Sequence, residues 1–215
     1  DAESERRFDL MKGPLFVARL LRCAADEHVL LVTFHHVIAD LRSLEVLLDE
    51  LKAAYEGEVL PALPLQYEEY ARKQRQEAES RAAVERLERW KERLRGGPSS
   101  LPLWTDKGGE AQASALRGME PLTLSADVSE RLQQMARESD ATLYMTLLAA
   151  FFAFLHRWTG ERSLVLGSPV SVREQPELQP LLGFFVNSLV LRSELTKETT
   201  FRQLLAQVRE TTLEA

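Results

Sequence analysis

Apolar positions fall into short blocks along the chain, and their spacing changes from block to block. Residues 14–36 hold two runs, LFVARLLRCA and HVLLVTFHH, separated by the turn-forming Ala25-Asp26-Glu27. Aliphatic and β-branched runs around a polar break predict a β-hairpin. The second run is apolar at consecutive positions, which predicts a buried central strand. Leu44, Leu47, Leu48, Leu51 and Tyr55 then recur at helical spacing, with Ser43 placed to cap and Gly57 placed to stop the helix. Residues 67–94 are highly charged and helical in pattern, with a break expected near Ser80.

A stretch rich in Gly and Pro follows over 96–118 and is the best candidate for a boundary. Beyond it, Val128, Leu132 and Met135 after Ser125 predict an amphipathic helix. Residues 142–158 are apolar nearly all round, which predicts a buried helix ending at Gly160. SLVLGSPV and VNSLVLRSEL read as strands on either side of the loop SVREQPELQP. Thr200 is placed to cap a last helix that carries Phe201, Leu204, Leu205 and Val208 on one face. Strands alternating with helices predict an α/β fold. No short-period repeat is visible.

Composition narrows the function. The chain has 215 residues, enough for one large domain or two small lobes, and its 45% hydrophobic content excludes disorder over most of the length. A net charge of −6 argues against a nucleic-acid partner, whose phosphates need a basic face. The single cysteine, Cys23, excludes an internal disulfide and a cysteine-based zinc site; its place in the first run predicts a small buried hydrophobe in a reducing compartment. No apolar run reaches the ~18 residues of a membrane-spanning helix, and the opening DAESERRFDL lacks a signal-peptide core, so a soluble cytoplasmic chain is expected. The absence of an initiator Met suggests a piece of something longer.

The densest polar constellation is His35-His36-Val37-Ile38-Ala39-Asp40, at a strand-to-helix junction where α/β folds place functional groups. Neighbouring strand residues point to opposite faces, so one His is expected to face a cavity and the other to be packed inside. On spacing alone, a catalytic His and two structural ones are about equally favoured. No metal site is expected: adjacent His do not converge on one ion, His28 falls in a turn and His156 at a helix end. There is no G-x-S-x-G elbow and no phosphate loop. Gly96-Gly97 and Gly108-Gly109 read as connectors, and the charged segment 67–94 as a solvated face or a partner-docking one.

The segment HHVIADLRSLEVLLDEL resembles the HHxxxDG region of the condensation domains of nonribosomal peptide synthetases. LPLQYEEYARKQRQ, ERWKERLRG with LPLWTDK, and the long run from ATLYMTLLAAFFAFLHRWTG through SPVSVREQPELQPLLGFFVNSLVLR are similar to further stretches of that family, in order. The wider superfamily includes chloramphenicol acetyltransferase. The resemblance implies two chloramphenicol acetyltransferase-like lobes, each incomplete in this chain. Residues 1–112 would be the latter part of the N-terminal lobe and 113–215 the first part of the C-terminal lobe.

The resemblance also implies chemistry. The family joins a donor acyl or peptidyl thioester to an acceptor aminoacyl thioester through an amide bond. Both substrates enter a tunnel on phosphopantetheine arms of donor and acceptor peptidyl carrier proteins, beside a neighbouring adenylation domain, and no cofactor is bound directly. His36 matches the family's catalytic His; His35 and Asp40 are implied to be structural, with Arg173 as the arginine that pairs with Asp40. Leu41, Ser43 and Asn187 match positions near the tunnel. One departure stands out. The family has Gly where this chain has Leu41, and a left-handed backbone there would cost Leu roughly 1–2 kcal/mol. That departure favours a second reading, a noncatalytic domain that recruits partner proteins. An epimerising or ester-forming relative is a third.

Overall fold

The computed structural model describes residues 6–103 and 120–214. Mixed α/β structure fills them. Strands β1 (Phe16–Arg22) and β2 (His28–Phe34) form an antiparallel hairpin in continuous register from Phe16 opposite Phe34 to Arg22 opposite His28. Helices α1 (Leu41–Tyr55), α2 (Tyr67–Ala78) and α3 (Arg81–Leu94) follow. After the undescribed segment come α4 (Ala126–Glu138), α5 (Leu143–Thr159), β3 (Ser163–Ser171), β4 (Val186–Glu194) and α6 (Phe201–Leu213), with β3 and β4 paired in a second two-stranded sheet. The boundary expected at 112/113, the Gly108-Gly109 connector and most of the 96–118 loop lie outside the described residues.

The chain divides into two compact units that are interleaved in sequence. One comprises Asp1–Glu85 and Pro169–Asn187, the other Arg86–Ser168 and Ser188–Ala215. In the second unit, Met145, Ala149, Phe152 and Leu155 of α5 pack with Leu204, Leu205 and Val208 of α6 and with Leu164 and Leu191 of the strands. The first unit has a smaller cluster of Leu178, Leu181 and Phe185, closed by Tyr67, Tyr70 and Val172.

Helix ends obey local chemistry. Ser125, Thr142 and Thr200 each accept a backbone N–H at the third helical position of α4, α5 and α6. Gly160 closes α5 in the left-handed conformation. The turn after α1 is a Schellman motif: Glu58 N–H donates to the Ala53 carbonyl and Gly57 N–H to that of Ala54, with Gly57 at φ 82°. The break near Ser80 separates α2 from α3.

Three expectations about burial are corrected. β2 is not a buried central strand: Val29, Leu30 and Leu31 are 37–41% exposed, because β1 is its one neighbour among the described residues. α5 is buried on one face only. Leu143, Leu147, Phe151, Phe154 and Trp158 on its other side stay 40–54% exposed, because α6 and the strands pack against a single stripe. Cys23 is exposed just past β1, where its N–H donates to the Glu27 carbonyl across the hairpin turn. His28 begins β2 rather than sitting in a turn.

Candidate functional site

The site lies entirely within the first unit. β2 ends at Phe34, and the chain turns through a short 3-10 segment, His36–Ile38, before α1. The two histidines therefore sit in a turn, and strand alternation does not set their directions. His35 caps the turn: its Nδ1 accepts the Val37 N–H at 3.1 Å, and its ring meets Phe8 edge-on. His36 does the reverse. Its Nδ1 lies 2.6 Å from the Ala39 carbonyl oxygen, which can only accept, so Nδ1 carries the proton. In the neutral ring this leaves the Nε2 lone pair free, whereas in His35 the free position is the N–H. The two adjacent rings thus hold opposite tautomers. His36 is exposed and packs perpendicular to the Phe184 ring at 5.3 Å.

Asp40 is the N-cap of α1, and Ser43 occupies the third helical position instead of the cap expected for it. The two form a capping box: Ser43 N–H donates to Asp40 Oδ1 at 2.8 Å, and Asp40 N–H donates to Ser43 Oγ at 3.3 Å. The helix starts one turn earlier than its first core leucine because Asp is as good a cap as Ser.

Around this box the chain brings in residues 130 or more positions away. Arg173 reaches Asp40 with both edges of its fork, Nε to Oδ2 at 3.2 Å and Nη2 to Oδ1 at 2.9 Å, and both side chains are almost wholly buried. Nη1 donates to the carbonyls of Leu178 and Leu181, and Nη2 also donates to Ser43 Oγ at 2.9 Å. The guanidinium lies 4.0 Å over the Phe185 ring. Phe185 N–H donates to Asp40 Oδ2 at 3.1 Å, and Gly183 N–H donates to Ser43 Oγ at 3.0 Å. The Ser43 proton faces Asp40 Oδ1 and the Gly183 carbonyl, each at 2.8 Å. Among the described residues, no buried side-chain polar atom lacks a partner.

Burial alone would raise the Asp40 pKa. The hydrogen bonds from Arg173, Ser43 and the Phe185 N–H outweigh it and hold the carboxyl at about 2, below its ordinary 3.8. The unfolded chain therefore binds this proton first on acidification. The stabilisation is complete by about pH 5 and is lost as pH falls through about 2; a gap of this size corresponds to roughly 2 kcal/mol. Urea unfolding between pH 5 and pH 2 is expected to show wild type losing roughly 2 kcal/mol more over this interval than Asp40→Asn, which starts less stable. Equal slopes for the two proteins would contradict it.

Leu41 is the first residue of α1, with a right-handed backbone. Asp140 is the one non-glycine residue among those described with positive φ. The strain considered for a left-handed Leu41 therefore does not arise, and its side chain is 74% exposed. Asn187, near the start of β4, is exposed too. The structure thus gathers Asp40, Ser43 and Arg173 into one network and leaves His36, Leu41 and Asn187 exposed. Among the described residues no group of three or more His, Cys, Asp or Glu is placed to hold a metal, and no single helix is long and apolar enough to cross a membrane.

The residue-by-residue reading missed Gly183 and Tyr67. A Cβ on Gly183 would collide with Tyr67 Cδ2, so the Tyr67 ring lies directly on the glycine backbone. Tyr67 also donates its hydroxyl to the Phe184 carbonyl at 3.0 Å. The signal was present in LLGFFVN, a lone Gly inside a strand-like apolar run, which marks close approach.

Comparisons with known proteins extend these observations. The model of the family described as Condensation domain matches residues 1–215. A linear gramicidin synthase of Brevibacillus parabrevis is 42% identical, over 99% of this chain and 4% of its own length. A phosphinothricin tripeptide synthetase of Streptomyces viridochromogenes is 39% identical, over 99% of this chain and 20% of its own length. Among solved structures, the X-domain from teicoplanin biosynthesis in complex with OxyB superposes with a TM-score of 0.88 at 28% identity, covering 99% of this chain and 49% of that one. The four-domain nonribosomal peptide synthetase AB3403, bound to AMP and glycine, gives 0.79 at 27% identity, covering 99% of this chain and 16% of that one. The chain thus spans a small part of the synthetases it matches and about half of the X-domain chain. With the family's model matched from end to end and relatives near 40% identity, this chain belongs to the condensation-domain family of the nonribosomal peptide synthetases.

Proposed function

We propose that this chain carries the histidine side of a condensation site that joins a donor acyl thioester to the α-amine of an acceptor aminoacyl thioester. Both substrates would ride on phosphopantetheine arms of carrier proteins, with an adenylation domain as neighbour. The observation that carries the reading is the Nδ1 contact of His36 with the Ala39 carbonyl, which leaves Nε2 free to accept a proton.

The chemistry needs little else. A thioester is already activated, so no covalent enzyme intermediate is required. The amine nitrogen attacks the thioester carbonyl carbon, a C–N bond forms and the C–S bond breaks. The amine proton passes to Nε2 of His36 and from there to the departing thiolate sulfur. The α-amine has an ordinary pKa of about 7.7–8.0, so a useful neutral fraction exists near pH 7. Asp40, Ser43 and Arg173 take no part in the proton transfer. They position the turn that bears His36, through the Asp40 cap and the Arg173 clamp.

Donor- and acceptor-loaded carrier proteins mixed with the full-length domain containing this chain test the reading, with the product identified by mass. Wild type is expected to form the amide, and Leu41→Gly to match its rate within about threefold, since Leu41 is exposed and unstrained. A noncatalytic recruiting domain is the second reading. It is supported by the likeness to an X-domain solved in complex with a partner protein, and it predicts no product from either protein. An ester or an epimerised product would identify the third reading.

A further inference from the structure

Helix α3 carries three glutamates, and each is engaged by a cation three or four residues away: Glu85 by Arg81, Glu88 by Lys91, and Glu92 by Arg95. Arg86 and Arg89 are left over. Neither has an ion-pair partner among the described residues, and both are exposed. With Trp90 and Arg93 they occupy positions i, i+3, i+4 and i+7, one face of the helix. This face borders a cleft of about 100 Å³ lined by Arg86, Arg89, Trp90, Arg93 and Glu214, all in the second unit.

The cleft already holds one carboxylate. Glu214, the C-cap of α6, sits against Arg93 through its side chain, and Arg93 Nη1 also donates to its backbone carbonyl at 3.1 Å. Arg93 in turn lies 5.6 Å over the Trp90 ring. Arg86 and Arg89 continue the same row, and no described carboxylate fills their forks.

We propose that this face of α3 docks an acidic helix of a partner protein, whose carboxylates take Arg86 and Arg89 as Glu214 takes Arg93. The row from Arg86 to Arg93 is about 10 Å long at 1.5 Å per residue. One phosphate cannot span it, whereas Asp or Glu at one-turn spacing on a facing helix matches it. Nucleic acid is disfavoured, because two free guanidinium groups on a chain of net charge −6 fall well short of the roughly 6–10 phosphate contacts of such binders. Arg suits carboxylate recognition, because its planar bidentate fork matches the two carboxylate oxygens. The docking is independent of the reaction at His36.

The test uses this chain and a labelled 15-residue helical peptide with Glu along one face, alongside its Gln counterpart, read by fluorescence anisotropy. Wild type is expected to bind the Glu peptide, to lose about tenfold in affinity between 50 and 300 mM NaCl, and to ignore the Gln peptide. The Arg86→Glu/Arg89→Glu double variant is expected to bind at least about tenfold more weakly. Arg157→Glu, an exposed charge reversal on α5 of the same unit, controls for net charge and should match wild type. Equal binding by wild type and the double variant overturns the proposal. So does no binding by wild type, an equal loss in Arg157→Glu, or displacement of the peptide by inorganic phosphate at constant ionic strength.

Discussion

Arg173→Ala is expected to lower the first thermal transition by about 6–20 °C, read by circular dichroism. This range combines roughly 3–5 kcal/mol for removing one partner of a buried ion pair with ~2–4 °C per kcal/mol for a chain of this size. The loss is large because Arg173 does several jobs at once. It neutralises Asp40, takes the carbonyls of Leu178 and Leu181, and covers the Phe185 ring. Alanine leaves a buried carboxylate without its cation and two carbonyls without their donor. Arg173→Lys keeps the charge but not the fork, so it should fall between the two. Asp40→Ala added to Arg173→Ala should cost less than the sum of the two single changes, because the second removes the charge that the first strands. A midpoint for Arg173→Ala within about 2 °C of wild type would show that the pair contributes little.

His36→Ala is expected to reduce amide formation about 10²–10⁴-fold at saturating carrier substrates, with the fold intact because His36 is exposed. Alanine also removes the tie to the Ala39 carbonyl, so a loss from alanine alone would not separate chemistry from loop placement. His36→Asn separates them. Its amide nitrogen can still donate to Ala39, but it has nothing in place of Nε2. If Nε2 handles the amine proton, the two variants fail alike. If His36 only holds the turn, asparagine restores most of the rate, and the proton-transfer role is wrong.

Local chemistry is the part of the fold most readable from sequence. The caps at Ser125 and Thr200 and the stops at Gly57 and Gly160 each depend on partners a few residues away, so spacing alone locates them. The start of α1 is the exception. Two good caps stand three residues apart, and the capping box uses both, with Asp40 outside the helix and Ser43 within it. Burial is less readable. The pattern of β2 and α5 shows which residues can be buried, but their apolar faces remain half-covered because nothing among the described residues packs against them. The site is readable in pieces. Composition alone would leave Arg173 a solvated loop residue, and only the resemblance pairs it with Asp40. The lone Gly183 marks a close approach, but what approaches it escapes a local reading, because Tyr67 meets the Gly183-Phe184 backbone across 117 positions of chain.

The separation of Asp40 from Arg173, 133 positions, also has a consequence in time. The first unit contains residues on both sides of an inserted stretch, 86–168, that belongs to the other unit. A ribosome adding about 5–20 residues per second needs roughly 7–27 s to travel from the aspartate to its arginine. Through that interval the turn bearing His36 has its cap but not its clamp. Pairings this distant in sequence also belong to the slower class of folding events. A nascent chain halted before residue 173 should present its hairpin and α1 without this clamp, as an exposed intermediate more open to proteases and chaperones than the chain that has reached its arginine.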